Sequence, residues 1–362
     1  MRHLTTNLPL CSIIAEVGVN HDGSLDKALN LIEAAANAGA DVVKFQTFIP
    51  ENIATKSAPK AKYQLQNSSP TETQLEMLKA LTLSADEYKE LLKHCDHLNI
   101  DFLSTPFDLE SLHFLCELGV KKIKIGSGDL NNAPLLLAVA RTQLPVILST
   151  GMSTLSDIEE AVSVLAFGYS RANEKPSKTG FFEAWQDESA RSQLQTQVTL
   201  LHCTSQYPAP FDEVNLRAMA TLENAFGLEI GYSDHTNGIS IPIAAATLGA
   251  SVIEKHITLD KASAGPDHAA SLEPTEFKNM VDGIREACLA LGSCKKTVSL
   301  SEISTREVAR KSLVANIEIE KGDIISADKI GVKRPANGRP PIDYWEVLGT
   351  KASKKIMKDE LL

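Results

Sequence analysis

Residues 233–268, SDHTNGISIPIAAATLGASVIEKHITLDKASAGPDH, decide how the whole chain is read. Two short apolar runs of strand character, Leu228–Tyr232 and Ser251–Ile253, each lead into a histidine, His235 and His256. The helix-length apolar segment Ile239–Leu248 separates them. This is the pattern of a β-α-β crossover, in which neighbouring parallel strands present both imidazoles at the same end of a sheet. Imidazole pairs of that kind bind transition metals, and Asp234, Glu254 and Asp267 lie close enough to accept protons or orient the ligands. The plainer alternative is a set of capping and core residues in an ordinary α/β unit.

The same alternation extends outward through the chain. Eight β-rich runs occur, at Ser12–Val17, Asp41–Phe45, Asp101–Ser104, Lys122–Ile125, Pro145–Ser149, Val198–His202, Leu228–Tyr232 and Ser251–His256. Helical spacing fills Leu25–Ala38, Ser84–Leu98, Leu109–Leu118, Ala133–Ala140, Thr154–Phe167, Val214–Ala225 and Ile239–Leu248, and Pro274–Leu291 follows the last run. A capping box at Ser84-Ala85-Asp86-Glu87 marks one helix start. Eight strands, each followed by a helix, predict an α/β fold, a (β/α)8 TIM barrel of about 280 residues. A doubly wound open sheet is the alternative, but no GxGxxG follows the first strand.

Two segments interrupt the rhythm. Pro50–Leu83 is too long for a tight turn, and long loops after barrel strands serve the active site. Arg171–Gln197, polar with Trp185 and a PSKTG stretch, reads as a surface insertion without chemistry. Beyond about residue 292, short strand runs, turn signals and Pro340-Pro341 predict a small β-rich domain, too modest in core to stand without packing on a barrel, its own or a partner's. The expected division is barrel 1–291, linker 292–305 and small domain 306–362.

A chain of 362 residues with 43% hydrophobic content can bury a full core. No run of about 18 apolar residues occurs, so no membrane span is expected. The opening MRHLTTNLPLCSIIAE lacks the apolar h-region of a signal peptide. Six cysteines scatter without a CxxC pair, which fits reduced thiols and a cytoplasmic location. A net charge of −10 and a pI near 5.5 argue against nucleic acid as the main partner.

In a barrel the C-terminal strand ends form the active site. Here they finish in Glu16, Lys44 and Gln46, Ser104-Thr105, Lys124 with Gly126-Ser127-Gly128, and Ser149-Thr150-Gly151. His202 to Tyr207, Ser233-Asp234-His235 and Glu254-Lys255-His256 complete the ring. Lysines, hydroxyls and glycine turns make a clamp for a small phosphate or carboxylate. The histidines beside it suggest a second substrate whose carbonyl a divalent cation polarises. Joining a carboxylated phosphate ester to an aldehyde fits this inventory. The plainer alternative has Lys44 and Lys124 as solvated rim charges paired with Glu16 or Glu254.

Nine ordered motifs carry a resemblance: IIAEVGVNHDGSLDKA, GADVVKFQTF, APKAKYQ, FLSTPFD, IKIGSGDLNNAPLL, ILSTGM, LLHCTSQYPAPFDEVNL, GYSDHT and EKHITLDKASAGPDHAASLEP. They closely resemble the bacterial sialic acid (N-acetylneuraminate) synthase family, which includes the legionaminic acid synthases. The tail, RKSLVANIEIEKGD followed by VKRPANG, resembles that family's C-terminal antifreeze-like (SAF) domain. The resemblance covers nearly the whole chain apart from Arg171–Gln197. It implies condensation of phosphoenolpyruvate with the open-chain aldehyde of an N-acylated mannosamine-type sugar, giving a nine-carbon 2-keto acid and phosphate.

By motif, the resemblance implies that His235 and His256 hold a divalent cation, commonly Mn2+ with Mg2+ or Co2+ as alternatives. Lys44, Thr105, Lys124, Ser127, Ser149 and Ser233 would bind phosphoenolpyruvate. Glu16, Gln46, Tyr207 and Asp267 would face the sugar, and Glu16 or Glu254 would handle protons, with His235 also at the reacting centre. Arg334 would reach from one subunit's antifreeze-like domain into the other's barrel, implying a homodimer. Ser205 departs from the family, some members having Asn there, and is left outside the contact set. The sialic and legionaminic branches stay equally open. Pseudaminic acid synthase and other phosphoenolpyruvate–aldose condensing enzymes are alternatives, and a metal-dependent barrel hydrolase is the rival of a different class.

Overall fold

The computed structural model describes residues 11–55, 58 and 73–362. The motif APKAKYQ therefore falls almost wholly outside the described residues, as does most of the opening segment read for a leader. The chain divides into two compact units that part at Gly292 and Ser293.

The first unit is a closed barrel of eight parallel strands in chain order. These are β1 (Ser12–Gly18), β2 (Val42–Thr47), β3 (Asp101–Pro106), β4 (Ile123–Ile125), β5 (Val146–Ser149), β6 (Val198–Cys203), β7 (Glu229–Asp234) and β8 (Val252–His256). Closure joins β1 to β8, with Glu16 opposite His256 and Ile14 opposite Glu254. All eight expected strands are present, each within a few residues of its sequence-read bounds. The helices begin where side chains can satisfy their first N–H groups: Ser84 and Glu87 form the expected capping box, and Thr154 with Asp157 forms another. The main core lies between strands and helices, and a smaller one of Ile14, Leu103, Ile147, Leu201 and Val252 plugs the barrel's interior.

Arg171–Gln197, read as a surface insertion, has secondary structure of its own. Ser177 caps a helix at Lys178–Gln186, and Asp187 caps the next at Glu188–Gln197. Ala184, Ala190 and Leu194 are buried, and Arg191 lies 5.0 Å over the Trp185 ring. The polar composition that marked a surface insertion belongs to the outer faces of two amphipathic helices. The long segment after β2 likewise carries short helices at Pro50–Ile53 and Gln74–Ala80.

The second unit holds two antiparallel strands, β9 (Ser312–Ala315) and β10 (Ile330–Lys333), and its own core of Leu313, Ile319, Ile325, Ile330, Val347 and Ile356. A capping box at Ser299 and Glu302 opens a helical stretch running to Ala309, which takes in the end of the segment read as a linker.

Candidate active site

Strand side chains alternate between faces, so the inward row of each strand is every second residue. The apolar plug occupies the lower inward layer, and two residues further on the same rows turn polar. Ile14 is followed by Glu16, Leu103 by Thr105, Ile147 by Ser149, Leu201 by Cys203, and Val252 by Glu254 and then His256. One cavity of about 430 Å³ opens above that plug, and every expected site residue of the barrel lines it. Arg334 belongs to the second unit, where it follows β10 and is exposed.

The floor is ionic. Lys44 Nζ lies 2.6 Å from Glu16 and 3.6 Å from Glu254, and Lys124 Nζ lies 3.6 Å from Glu254. Ser233 donates to Glu254 at 2.8 Å, Gln46 to Glu16 at 3.2 Å, and Lys44 to Thr105 at 3.4 Å. The lysines thus pair with both glutamates, as the plainer alternative supposed, but they are buried rather than solvated. Burial alone would raise the Glu254 carboxyl, yet Lys124 and Lys44 hold it down to about 2. Glu16 goes the other way, raised by burial more than Lys44 lowers it. Burial opposes the Lys44 charge, and Glu16 and Glu254 raise it nonetheless, whereas burial prevails at Lys124 and lowers it. Two carboxyls pushed apart in this way are the usual basis for separate acid and base roles.

Beside the lysines is a group of small polar side chains. Ser127 accepts the Gly151 N–H at 2.9 Å and touches Cys203 Sγ at 3.1 Å. The Ser149 hydroxyl is buried with no hydrogen-bond partner among the described residues. A Cβ on Gly151 would overlap Ser205 Oγ and come within 2.9 Å of both Cys203 Sγ and Ser127 Oγ, so a larger residue here would displace these side chains. Ser205, set aside in the sequence reading, does line the cavity.

The imidazoles of His235 and His256 face each other with ring centroids 5.8 Å apart, and Tyr207 packs 4.1 Å from His235. Burial lowers both imidazoles below the ordinary histidine range, which keeps their lone pairs available. His235 Nδ1 lies 2.7 Å from the Thr204 carbonyl, which only an N–H can serve, so Nε2 carries the lone pair. His256 Nδ1 is buried without a hydrogen-bond partner among the described residues. Among those residues no group of three or more His, Cys, Asp or Glu surrounds a common point. This donor set fits a cation held by two protein ligands with its other positions open to substrate. Asp267 completes the rim, its carboxyl raised to about 7 by burial and then by Glu16.

Asp234 does not join this site. It points to the opposite face of β7, where Lys255 meets it at 2.5 Å and Tyr232 and Thr236 donate to it. The sequence offered Asp234 as a neighbour of the histidines, but strand alternation carries it behind them. Sequence reading also passed over an apolar flank of the cavity, formed by Val19, Phe48, Met77, Leu78 and Leu81. Its signal was the i, i+4 spacing of Met77 and Leu81 behind the capping pair Thr73 and Glu76.

A closed barrel whose mouth gathers two buried lysines, two glutamates of divergent acidity and an imidazole pair defines a (β/α)8-barrel enzyme. The chain belongs to the NeuB family, whose profile matches residues 31–296, and residues 310–362 match the SAF domain. It is 49% identical to the N,N'-diacetyllegionaminic acid synthase of Campylobacter jejuni, covering 97% of this chain and 98% of that one. To the N,N'-diacetyllegionaminic acid synthase of Legionella pneumophila it is 42% identical, covering 96% and 91%. Among solved structures it is similar to the N-acetylneuraminic acid (sialic acid) synthetase of Leptospira borgpetersenii in complex with citrate. That match has 34% identity and a TM-score of 0.65, and covers 83% of this chain and 90% of the other.

Proposed function

We propose that this enzyme condenses phosphoenolpyruvate with an N-acylated mannosamine-type sugar to give a nonulosonic acid and phosphate, and that its sugar is the legionaminate precursor 2,4-diacetamido-2,4,6-trideoxymannose. The buried Lys44 and Lys124, with a Ser149 hydroxyl that has no partner among the described residues, support the anion clamp best. Two full-length relatives that make N,N'-diacetyllegionaminic acid favour the legionaminate branch over the sialic one, and pseudaminic acid synthases stand further away in sequence.

In this reading the lysines neutralise the phosphate and carboxylate of phosphoenolpyruvate, with Ser127, Ser149, Ser233 and Thr105 completing the cradle. A divalent cation, Mn2+ by the family's usage, would be held by His235 and His256 and would polarise the aldehyde carbonyl. C3 of phosphoenolpyruvate bonds to the aldehyde carbon, whose oxygen then needs a proton. Glu254 is fixed as a counter-ion by Lys124, Lys44 and Ser233, so Glu16, held by Lys44 and Gln46, is the group that gives that proton. Glu16 recovers a proton from the water that adds at C2, and C–O cleavage then releases phosphate, which takes the C2 hydroxyl proton as the ketone forms. The proton count closes without any other donor.

Tyr207 and Asp267 would flank the sugar, and Arg334 would close over it from the SAF domain of a second subunit in a cytoplasmic homodimer. Among the described residues no helix is long and apolar enough to cross a membrane. The test is phosphate release from phosphoenolpyruvate with Mn2+ and the trideoxy sugar, with and without chelator, alongside His235→Ala. Release should need sugar and metal together, and His235→Ala should abolish it and weaken Mn2+ binding by titration. Full activity with metal demonstrably absent would remove the metal role, and no release with any N-acylated mannosamine-type sugar would remove the condensation.

A further inference from the structure

The cavity has two chemically different halves. Its floor, from Glu16 round to Glu254, is polar and charged. Beyond β1 and β2 the lining changes: Val19 and Phe48 follow Glu16 and Gln46 by three and two residues and pack with Met77 and Leu81. Gln74 and Leu78 also face the cavity. Met77 with Leu81, and Gln74 with Leu78, are i, i+4 neighbours, so the stretch Gln74 to Leu81 aims two adjacent rows of side chains at the same space. The phosphate, carboxylate and carbonyl oxygens at the floor are met by charged and hydroxyl side chains, so the chemistry there does not call for this apolar surface.

We infer that this flank determines sugar specificity. It receives the C4 to C6 end of the acceptor and selects a 6-deoxy sugar bearing a second acylamino group over one with a 6-hydroxyl. The inference rests on the proposed condensation. In that reaction the aldehyde carbon lies on the floor beside phosphoenolpyruvate, so the rest of the open chain must leave the floor. The flank that continues from Glu16 and Gln46 is where it emerges. A C6 methyl and an acetyl methyl gain by leaving water against Phe48, Met77, Leu78 and Leu81. A C6 hydroxyl there would lose its water and find no partner in those four side chains. Gln74 brings an amide that can both donate to and accept from a second acetamido group. Apolar pockets reject an added hydroxyl only by about a hundredfold, so the preference should fall between about tenfold and a hundredfold.

The test compares kcat/KM for 2,4-diacetamido-2,4,6-trideoxymannose and N-acetylmannosamine by phosphate release, using the full chain with phosphoenolpyruvate and Mn2+. Met77→Gln and Leu81→Gln place a polar group on the flank, Met77→Leu keeps it apolar, and the half-buried Leu78→Gln serves if the buried variants fail to fold. Wild type should prefer the trideoxy sugar. The glutamine variants should bring the ratio toward one, through KM for the trideoxy sugar and with KM for phosphoenolpyruvate unmoved, while Met77→Leu keeps the ratio. Equal use of the two sugars by wild type, or an unchanged ratio in every folded glutamine variant, would overturn the selection and leave the condensation standing. Release with neither sugar would bring down both readings.

Discussion

Strands β7 and β8 carry buried charge on both faces, and the two faces differ in how completely that charge is matched. On the outer face each Asp234 oxygen has two donors: Tyr232 and the Thr236 N–H on Oδ1, Lys255 and the Thr236 hydroxyl on Oδ2. Lys255 also reaches the Thr236 carbonyl and is wholly enclosed. On the inner face two of the lysine–glutamate approaches are as long as 3.6 Å, and Ser149 Oγ and His256 Nδ1 have no hydrogen-bond partner among the described residues. Buried polar groups are ordinarily satisfied. A complete network therefore reads as structure, and an incomplete one a strand's thickness away reads as a place awaiting ligands. The outer network holds Asp234 and Lys255, next in sequence to His235 and His256, and so fixes the two strand ends that present the imidazoles.

The largest expected effect comes from breaking the complete network. Lys255→Ala leaves Asp234 buried and uncompensated and should cost about 3–5 kcal/mol of stability. Replacing the pair together, Lys255→Met with Asp234→Leu, should recover only part of that loss, because the Tyr232 hydroxyl and the Thr236 N–H and hydroxyl lose their acceptor. Chemical denaturation of the three proteins checks it, and a Lys255→Ala protein as stable as wild type would show that the outer network is not structural.

Lys124→Met sharpens the contrast from the other side. It removes a lysine that burial disfavours but that also helps Lys44 keep Glu254 ionised, so stability should fall less than in Lys255→Ala, whereas turnover should fall by about 10²–10³-fold as one donor to the anion disappears. Paired melting and phosphate-release assays decide the point. A large stability loss with modest kinetic effect would make the inner lysine structural too.

Much of this arrangement was legible in the sequence, and the reason is parity. Most strand runs end in a polar residue two places after an apolar one, so the barrel and twelve of its thirteen mouth residues could be read at or just past the strand ends. Asp267 was read from its place in the stretch after His256, and the individual roles from the family resemblance. What escaped reading depends on which face a residue takes. In Ser233-Asp234-His235 and Glu254-Lys255-His256 the middle residue lies behind the sheet, and sequence proximity made Asp234 look like part of the site. The helices of Arg171–Gln197 escaped because their buried faces are thin, made of Ala184, Ala190 and Leu194. The apolar flank escaped because Met77 and Leu81 look like ordinary core until Val19 and Phe48 are brought beside them from other strands.

A smaller effect is expected at Gly151→Ala. The added methyl would press on Ser205, Cys203 and Ser127, and overpacking of this kind costs about 1–3 kcal/mol. Ser205 can rotate aside, but Ser127 and Cys203 already hold each other, so the KM for phosphoenolpyruvate should rise while the sugar KM changes little. Equal rises in both would place Ser127 outside the phosphoenolpyruvate cradle.

The smallest effect concerns Asp267 and shows only as a pH trend. Its folded carboxyl titrates near 7 where an unfolded aspartate titrates near 3.8, because burial and the neighbouring Glu16 disfavour its charge. Between those values the folded chain binds more protons than the unfolded one. The stabilisation is then complete below about pH 4 and is lost as pH rises through 7. Asp267→Asn has no such term, and subtracting its stability from that of wild type removes the titrating groups that Asp267 does not touch, leaving its own term and its coupling to Glu16. The difference should fall as pH rises from 4 to 8. A flat difference would mean that Asp267 is ionised in the fold like an exposed aspartate, and that the incomplete inner face has more water in it than its burial suggests.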